Sequence, residues 1–297
     1  MTSTRRGTLY GAGAYVLWGL FPLYWPLLAP SSALEVLAHR VLWSVVAVAV
    51  LLLVTRRFEQ VRAAVRDRRR FAQIALAAVV IAVNWGTYIY GVTNDRVVET
   101  SLGYFVNPIV TVLLGVIVLG ERLRPAQWTA LGAAVVAVVV LTVENGSPPW
   151  IALVLAFSFG TYGLLKKTAG VGAVEGLAVE TGVLLPVAAV YVLVIGGGTF
   201  ATQGAGHATL LALSGVVTAI PLLMFGAAAS RIPLSTLGVL QYLAPTMQFL
   251  LGITLFDEPL PAAKLLGFLL VWFGVALFTV DLVRQARQLR LEVPAPA

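Results

Sequence analysis

The sequence predicts an all-α integral membrane protein of ten transmembrane helices, arranged as two inverted five-helix repeats, and three observations predict it. Its 297 residues are 59% hydrophobic and 11% charged, with a mean hydropathy of +0.92, well above that of a soluble domain of this size. Ten apolar runs, bounded by charges or by Gly, Pro, Ser and Asn, have lengths suited to crossing a bilayer. Short motifs of the first half also return in the same order in the second.

The first span, residues 8–28, follows Arg5 and Arg6 and contains Pro22 and Pro26. Its length, and the spans behind it, make it a retained helix rather than a cleaved signal peptide. Spans at 34–54, 71–91, 98–119 and 126–142 complete the first repeat, residues 1–145. Spans at 150–165, 173–195, 208–228, 235–256 and 262–281 form the second, residues 146–297. Apolar and polar residues do not alternate at period two, which argues against a membrane barrel. With no cysteine, the chain has no disulfide framework, thiolate metal site or Cys nucleophile, and its redox compartment is not legible.

Basic residues set the orientation. Seventeen of the twenty Lys and Arg residues fall on the side of the N-terminus, against Arg96 and Lys264 on the other, with Arg40 inside a span. The bias places both termini in the cytoplasm of a cell that holds the protein in its cytoplasmic membrane. It also gives the net charge of +7 a topological role. The arginines lie in short loops without the aromatic-interleaved face of a nucleic-acid binder, so no nucleic-acid partner is expected.

The repeat is carried by ALEVLA (33–38) and AVEGLA (173–178), which set Glu35 opposite Glu175, and by Trp18-Gly19 and Phe159-Gly160. Gly91, Arg96 and Ser101–Gly103 match Gly226, Arg231 and Thr236–Gly238; Asn107-Pro108 matches Ala244-Pro245; Gly120-Glu121 matches Asp257-Glu258. Five spans is an odd number, so the second copy enters the membrane from the opposite side, as in many secondary transporters.

A charged side chain at membrane depth costs roughly 2.5 to 3.5 kcal/mol, so His39 and Arg40, near the start of span two, call for a reason. One reading has Arg40 tying two helices together through a carboxylate, with His39 bonding a neighbouring backbone. The other has both facing a cavity, where Arg40 holds an anionic group of a substrate and His39 titrates in the physiological range. Glu180 is the partner expected for Arg40, since the repeat sets it opposite at an offset of 140; a carboxyl that gains and loses a proton in the membrane also suits a proton-coupled carrier. Glu35, Glu175 and Glu99, at span entrances, are expected in solvated or interfacial roles, His207 exposed, and Lys166 and Lys167 topological, with a place for Lys166 at the inner mouth of the cavity as the alternative.

Uncharged polar and aromatic residues complete the candidate cavity: Asn84, Trp85 and Tyr88 in span three, Tyr104 and Asn107 in span four, and Gln241 and Tyr242 in span nine. Tyr104 and Asn107, three apart, share a helix face. Pro108 and Pro245 each remove a backbone hydrogen bond and predict helix kinks.

The pieces LAHRVLWS (37–44), ETSLGYFVNPIVTVLLGVIVLGERLR (99–124), LAFSFGTYGLLKK (155–167), VETGVLLPVAAVY (179–191) and STLGVLQYLAPTMQFLLG (235–252) resemble the RarD branch of the EamA family, in the drug/metabolite transporter superfamily. The resemblance covers nearly the whole chain. It implies a ten-helix fold of two inverted repeats and transport of small molecules, in a branch described as chloramphenicol-resistance permeases.

These readings converge on a secondary transporter of small metabolites or drugs, an exporter working by alternating access. A lipid or lipid-linked flippase and a non-transporting helper or sensor subunit are the rivals. No G-x4-G-K-[ST] loop is present to harness ATP, so a proton gradient, exchange or facilitated diffusion remains. Two separated histidines and no HExxH motif give an enzyme nothing to work with. No cofactor or metal is expected.

Overall fold

The computed structural model describes residues 3–119, 125–229, 231–232 and 240–292. Every element of regular structure among them is helical. The first half runs α1 (Ser3–Gly19), α2 (Phe21–Tyr24), a 3₁₀ turn (Trp25–Leu28), α3 (Ala33–Thr55), α4 (Phe58–Arg66), α5 (Arg68–Thr93), α6 (Val97–Leu119) and α7 (Pro125–Asn145). The second runs α8 (Trp150–Ala169), α9 (Ala173–Val194), α10 (Gly198–Thr202), α11 (Gly204–Ala229), α12 (Leu243–Thr254) and α13 (Ala262–Glu292).

Local chemistry sets the ends. Ser32 Oγ caps α3 by accepting from Glu35 N at 3.2 Å, and Asp67 caps α5 by accepting from Arg69 N and Arg70 N at 3.0 and 3.1 Å. Arg56 closes α3 in the left-handed region, at φ 54°.

Among the described residues six helices are long and apolar enough to cross a membrane, with shorter apolar helices at Trp150–Lys166 and Leu243–Thr254. Large apolar side chains point outward along them: Val143 and Val194 are 78% exposed and Leu193 77%. In water such a surface would aggregate, whereas hydrocarbon solvates it. Inside, α8 packs on α5 and α6, α3 on α9 and α11, α7 on α13 and α6 on α12. Small residues let the backbones close. A Cβ on Gly103 would stand 2.8 Å from the Ala152 carbonyl oxygen, and one on Gly215 would stand 2.6 Å from Trp43 Cβ, so only glycine allows these two crossings.

Several expectations change. Span one is broken into α1, α2 and the 3₁₀ turn, each of the last two opening with a proline near its start (Pro22, Pro26), because proline lacks the N–H that would continue the preceding turn. Helices α4 and α10 occupy segments read as loops, and α13 runs eleven residues past the predicted 281. Pro108 lies within an unbroken α6. Pro245 sits in the first turn of α12, where a missing N–H costs no helical bond. Residues 233–239, Gly120 and Glu121 lie outside the described residues, and with them two of the repeat matches.

Candidate substrate site

Arg40 is 3% exposed, about two turns into α3. Its guanidinium carbon lies 4.0 Å from the centre of the Trp85 ring and 5.4 Å from that of Trp25, so α5 and the 3₁₀ turn hold it between aromatic faces. Its Nε and Nη1 have no hydrogen-bond partner. The hydroxyl of Tyr88 and Nε1 of Trp25, both buried in the same cluster, also lack one.

Asn84 fixes the floor of this cluster. Its Nδ2 donates to Leu155 O at 3.0 Å and Ser158 Oγ at 2.9 Å, and its Oδ1 accepts from the Tyr104 hydroxyl at 3.1 Å. One amide thus joins α5, α6 and α8 with its capacity nearly filled. Tyr104 meets Tyr88 edge-on at 5.6 Å between centroids. The structure therefore brings Arg40, Asn84, Trp85, Tyr88 and Tyr104 together, and adds Trp25 and Ser158, which sequence reasoning missed.

Arg40 does not pair with Glu180. The Glu180 carboxylate accepts from Lys166 Nζ at 2.7 Å and the Tyr162 hydroxyl at 3.2 Å. The register explains why. Helices α3 and α9 are antiparallel, tied at one end by Arg57 Nη1 donating to Glu175 at 2.9 Å and at the other by Thr199 donating to Glu35. From Glu35 to Arg57 is about 33 Å at ~1.5 Å per residue, and Arg40 and Glu180 each stand five residues in from opposite ends, leaving them about 18 Å apart along the axis. The offset that makes them equivalent is what separates them.

One face of α8 connects the two centres. Leu155, Ser158, Phe159, Tyr162 and Lys166 recur at helical spacing. Tyr104 packs on Phe159 at 6.1 Å, Phe159 on Tyr162 at 6.1 Å, and Lys166 lies 5.7 Å from the Tyr162 ring. The spacing was readable in LAFSFGTYGLLKK, but without the neighbouring helices nothing marked this face as the inner one. Lys166, read as topological, is the cation that Glu180 uses.

The remaining candidates lie elsewhere. His39, about 100° round the helix from Arg40, stacks on Phe200 of α10 at 4.8 Å, and neither ring nitrogen has a hydrogen-bond partner. Tyr242 stacks on Phe105 at 6.3 Å, in an aromatic cluster with Phe249, Phe268 and Trp272; Gln241 is half-buried beside it and Asn107 is buried on α6.

The carboxylates expected at span entrances make structural ties, Glu35 and Glu175 buried and Glu99 partly so, and Glu258 joins them. Glu35, 5% exposed, accepts from Thr199 N at 2.6 Å and Thr199 Oγ1 at 2.7 Å. His207 is not free: its Nε2 lies 2.8 Å from Ser31 Oγ and 3.1 Å from Thr199 Oγ1, so the α9–α11 connection is clasped to the start of α3. Glu258 accepts from Val97 N and Val98 N, the latter at 3.0 Å, capping α6, and Glu99 accepts from Ile151 N at 3.1 Å, at the start of α8. Glu175 is likewise 5% exposed. A carboxylate that accepts backbone N–H groups at a helix start, as Glu99 and Glu258 do, is compensated by the helix dipole as well as by the bonds.

Residues 5–143 match the EamA-like transporter family. The protein RarD of Streptomyces exfoliatus is 56% identical over 98% of this chain and 94% of its own length. The uncharacterized transporter YojE of Bacillus subtilis (strain 168) is 40% identical over 96% of this chain and 97% of its own. A crystal structure of another protein superposes on 94% of this chain and 98% of its own, with a TM-score of 0.61 at 20% identity, a likeness of fold. The apolar helices and these relatives make it a multi-pass membrane transporter of the drug/metabolite kind, and the chain belongs to the EamA-like transporter family, in the branch whose members are named RarD.

Proposed function

We propose that the protein is a secondary transporter of the cytoplasmic membrane that exports small organic molecules bearing an anionic group. One observation carries this reading: a buried guanidinium lies on two indole faces and, among the described residues, has no ion-pair partner. Desolvating a cation costs several kcal/mol, and a desolvated cation–π contact returns about 2 kcal/mol. The shortfall is what an incoming anion would offset. The neighbouring orphan groups, Tyr88 Oη and Trp25 Nε1, are donors too, which suits a carboxylate or another oxyanion.

Ten crossings in two inverted repeats, residues 1–145 and 146–297, with both termini cytoplasmic, provide the framework for alternating access. The mirrored depths of Arg40 and Glu180 on antiparallel helices support that symmetry. In this scheme the substrate anion enters at the cytoplasmic Lys166–Glu180 pair and passes along the face of α8 towards Arg40, nearer the outer end of α3. Protonation of Glu180 frees Lys166 to receive the anion, which makes substrate binding at this end pH-dependent.

Purified protein in liposomes, with an imposed pH gradient and a pool of amino acids and small aromatic drugs, tests the reading. Wild type is expected to carry one class of anionic compound, and Arg40→Ala to lose that flux while melting within a few degrees of wild type. Unchanged flux in Arg40→Ala refutes the site.

A further inference from the structure

We infer that the segment from Arg56 to Arg70 is a binding surface for anionic phospholipid headgroups, with α4 lying along the membrane boundary. The inference rests on the chain spanning a bilayer, and not on the transport reading. Helix α4 joins the end of one membrane-length helix, Ala33–Thr55, to the start of another, Arg68–Thr93, which puts it at the level where hydrocarbon meets headgroups.

Its faces are ordered round the axis. Ala64 is 3% exposed and packs with Ile74, Ala169 and Val179, with Val61 half-buried beside them, so this edge is docked on the protein. Next round the helix, at about 100° per residue, come Val65 and Phe58, 47% and 49% exposed. Arg62 and Arg66 follow, both exposed. The apolar pair continues the outward apolar surface of Leu53 and Val54, 66% and 77% exposed. A helix with exposed apolar side chains flanked at once by arginines is built to lie in an interface, its apolar edge among acyl chains and its cations at phosphate level.

The charge points to the lipid. The segment holds seven arginines against two carboxylates, Glu59 and Asp67. Arg57 is spent on Glu175 and Arg70 on Asp67, at 2.9 and 3.2 Å. Among the described residues, Arg56, Arg62, Arg66, Arg68 and Arg69 have no ion-pair partner in the protein. Cationic segments beside a membrane helix draw anionic headgroups in this way. A topological signal alone would need the arginines but not the exposed Phe58 and Val65 on the same short helix.

The test is native mass spectrometry and thermal melting of the protein in nanodiscs of phosphatidylcholine alone or mixed with phosphatidylglycerol. Wild type is expected to retain phosphatidylglycerol over phosphatidylcholine and to melt higher in the mixed discs. Arg62→Gln with Arg66→Gln should weaken that retention by about fivefold for each arginine and lose the melting increment, while melting like wild type in phosphatidylcholine. Arg62→Lys with Arg66→Lys should restore most of the retention. Equal retention by wild type and the Gln pair, or no preference in wild type, overturns the inference and leaves the arginines a topological role only.

Discussion

Replacing Glu180 by Gln removes the carboxylate from the Lys166 pair, and the consequence can be sized from the geometry. At 2.7 Å and an effective dielectric of about 20, opposite charges attract by about 6 kcal/mol, against about 0.9 kcal/mol for charges about 18 Å apart, as Arg40 and Glu180 are. Glu180 is 2% exposed and Lys166 22%, so desolvation of the carboxylate and solvent screening of the ammonium consume most of the larger figure. A net coupling of about 1–3 kcal/mol remains for Lys166 with Glu180, and less than about 0.5 kcal/mol for Arg40 with Glu180. The assay is a pair of double-mutant cycles, Lys166→Met with Glu180→Gln and Arg40→Met with Glu180→Gln, read by reversible unfolding in micelles. A coupling between Arg40 and Glu180 equal to or larger than that between Lys166 and Glu180 would refute the register of α3 against α9.

Two further outcomes follow from the packing. Gly103→Ala sets a methyl group against the backbone of Ala152, which cannot move aside as a side chain can; it should destabilise the protein by about 1–3 kcal/mol, seen as a lower melting temperature. Burial pushes the Glu258 carboxyl above its ordinary 4.5, against the pull of the Val98 and Val97 N–H groups. The folded chain therefore holds that proton more tightly than the unfolded one, so its contribution is full below pH 4.5 and falls as pH rises through the folded value. Glu258→Gln should flatten that decline in a pH series of melts, and an unchanged slope would show that Glu258 does not titrate differently on folding.

The helices and much of the candidate site were legible because each rests on local pattern. Hydropathy located the membrane-length helices. Asn84, Trp85 and Tyr88 lie within five residues, and Tyr104 stands at the matching depth of the next antiparallel helix, so α5 and α6 deliver them together. Contacts between distant segments were not legible. Nothing in the spacing of Glu35, Thr199 and His207 signals that a loop folds back on α3, so buried ties were read as solvated or interfacial groups. Trp25 reaches Arg40 only because Pro22 and Pro26 break the first span and turn the chain inward. The Arg40–Glu180 pairing failed for a geometric reason: inversion moves equivalent residues to opposite depths, so sequence equivalence marks a pair as separate. Helix α4 was hidden by its arginines, which read as a loop until the docking of Ala64 and Val61 revealed an amphipathic helix.

The central claim, that Arg40 holds the anionic group of the substrate, is tested most directly by comparing a carboxylate found by flux screening with its methyl ester, by calorimetric titration of wild type and Arg40→Gln. A charge-assisted hydrogen bond contributes about 1.5–3 kcal/mol, so wild type should bind the acid about 10- to 100-fold more tightly than the ester, and Arg40→Gln should bind the two alike. An ester bound as tightly as the acid by wild type, or a preference that survives in Arg40→Gln, would contradict the account.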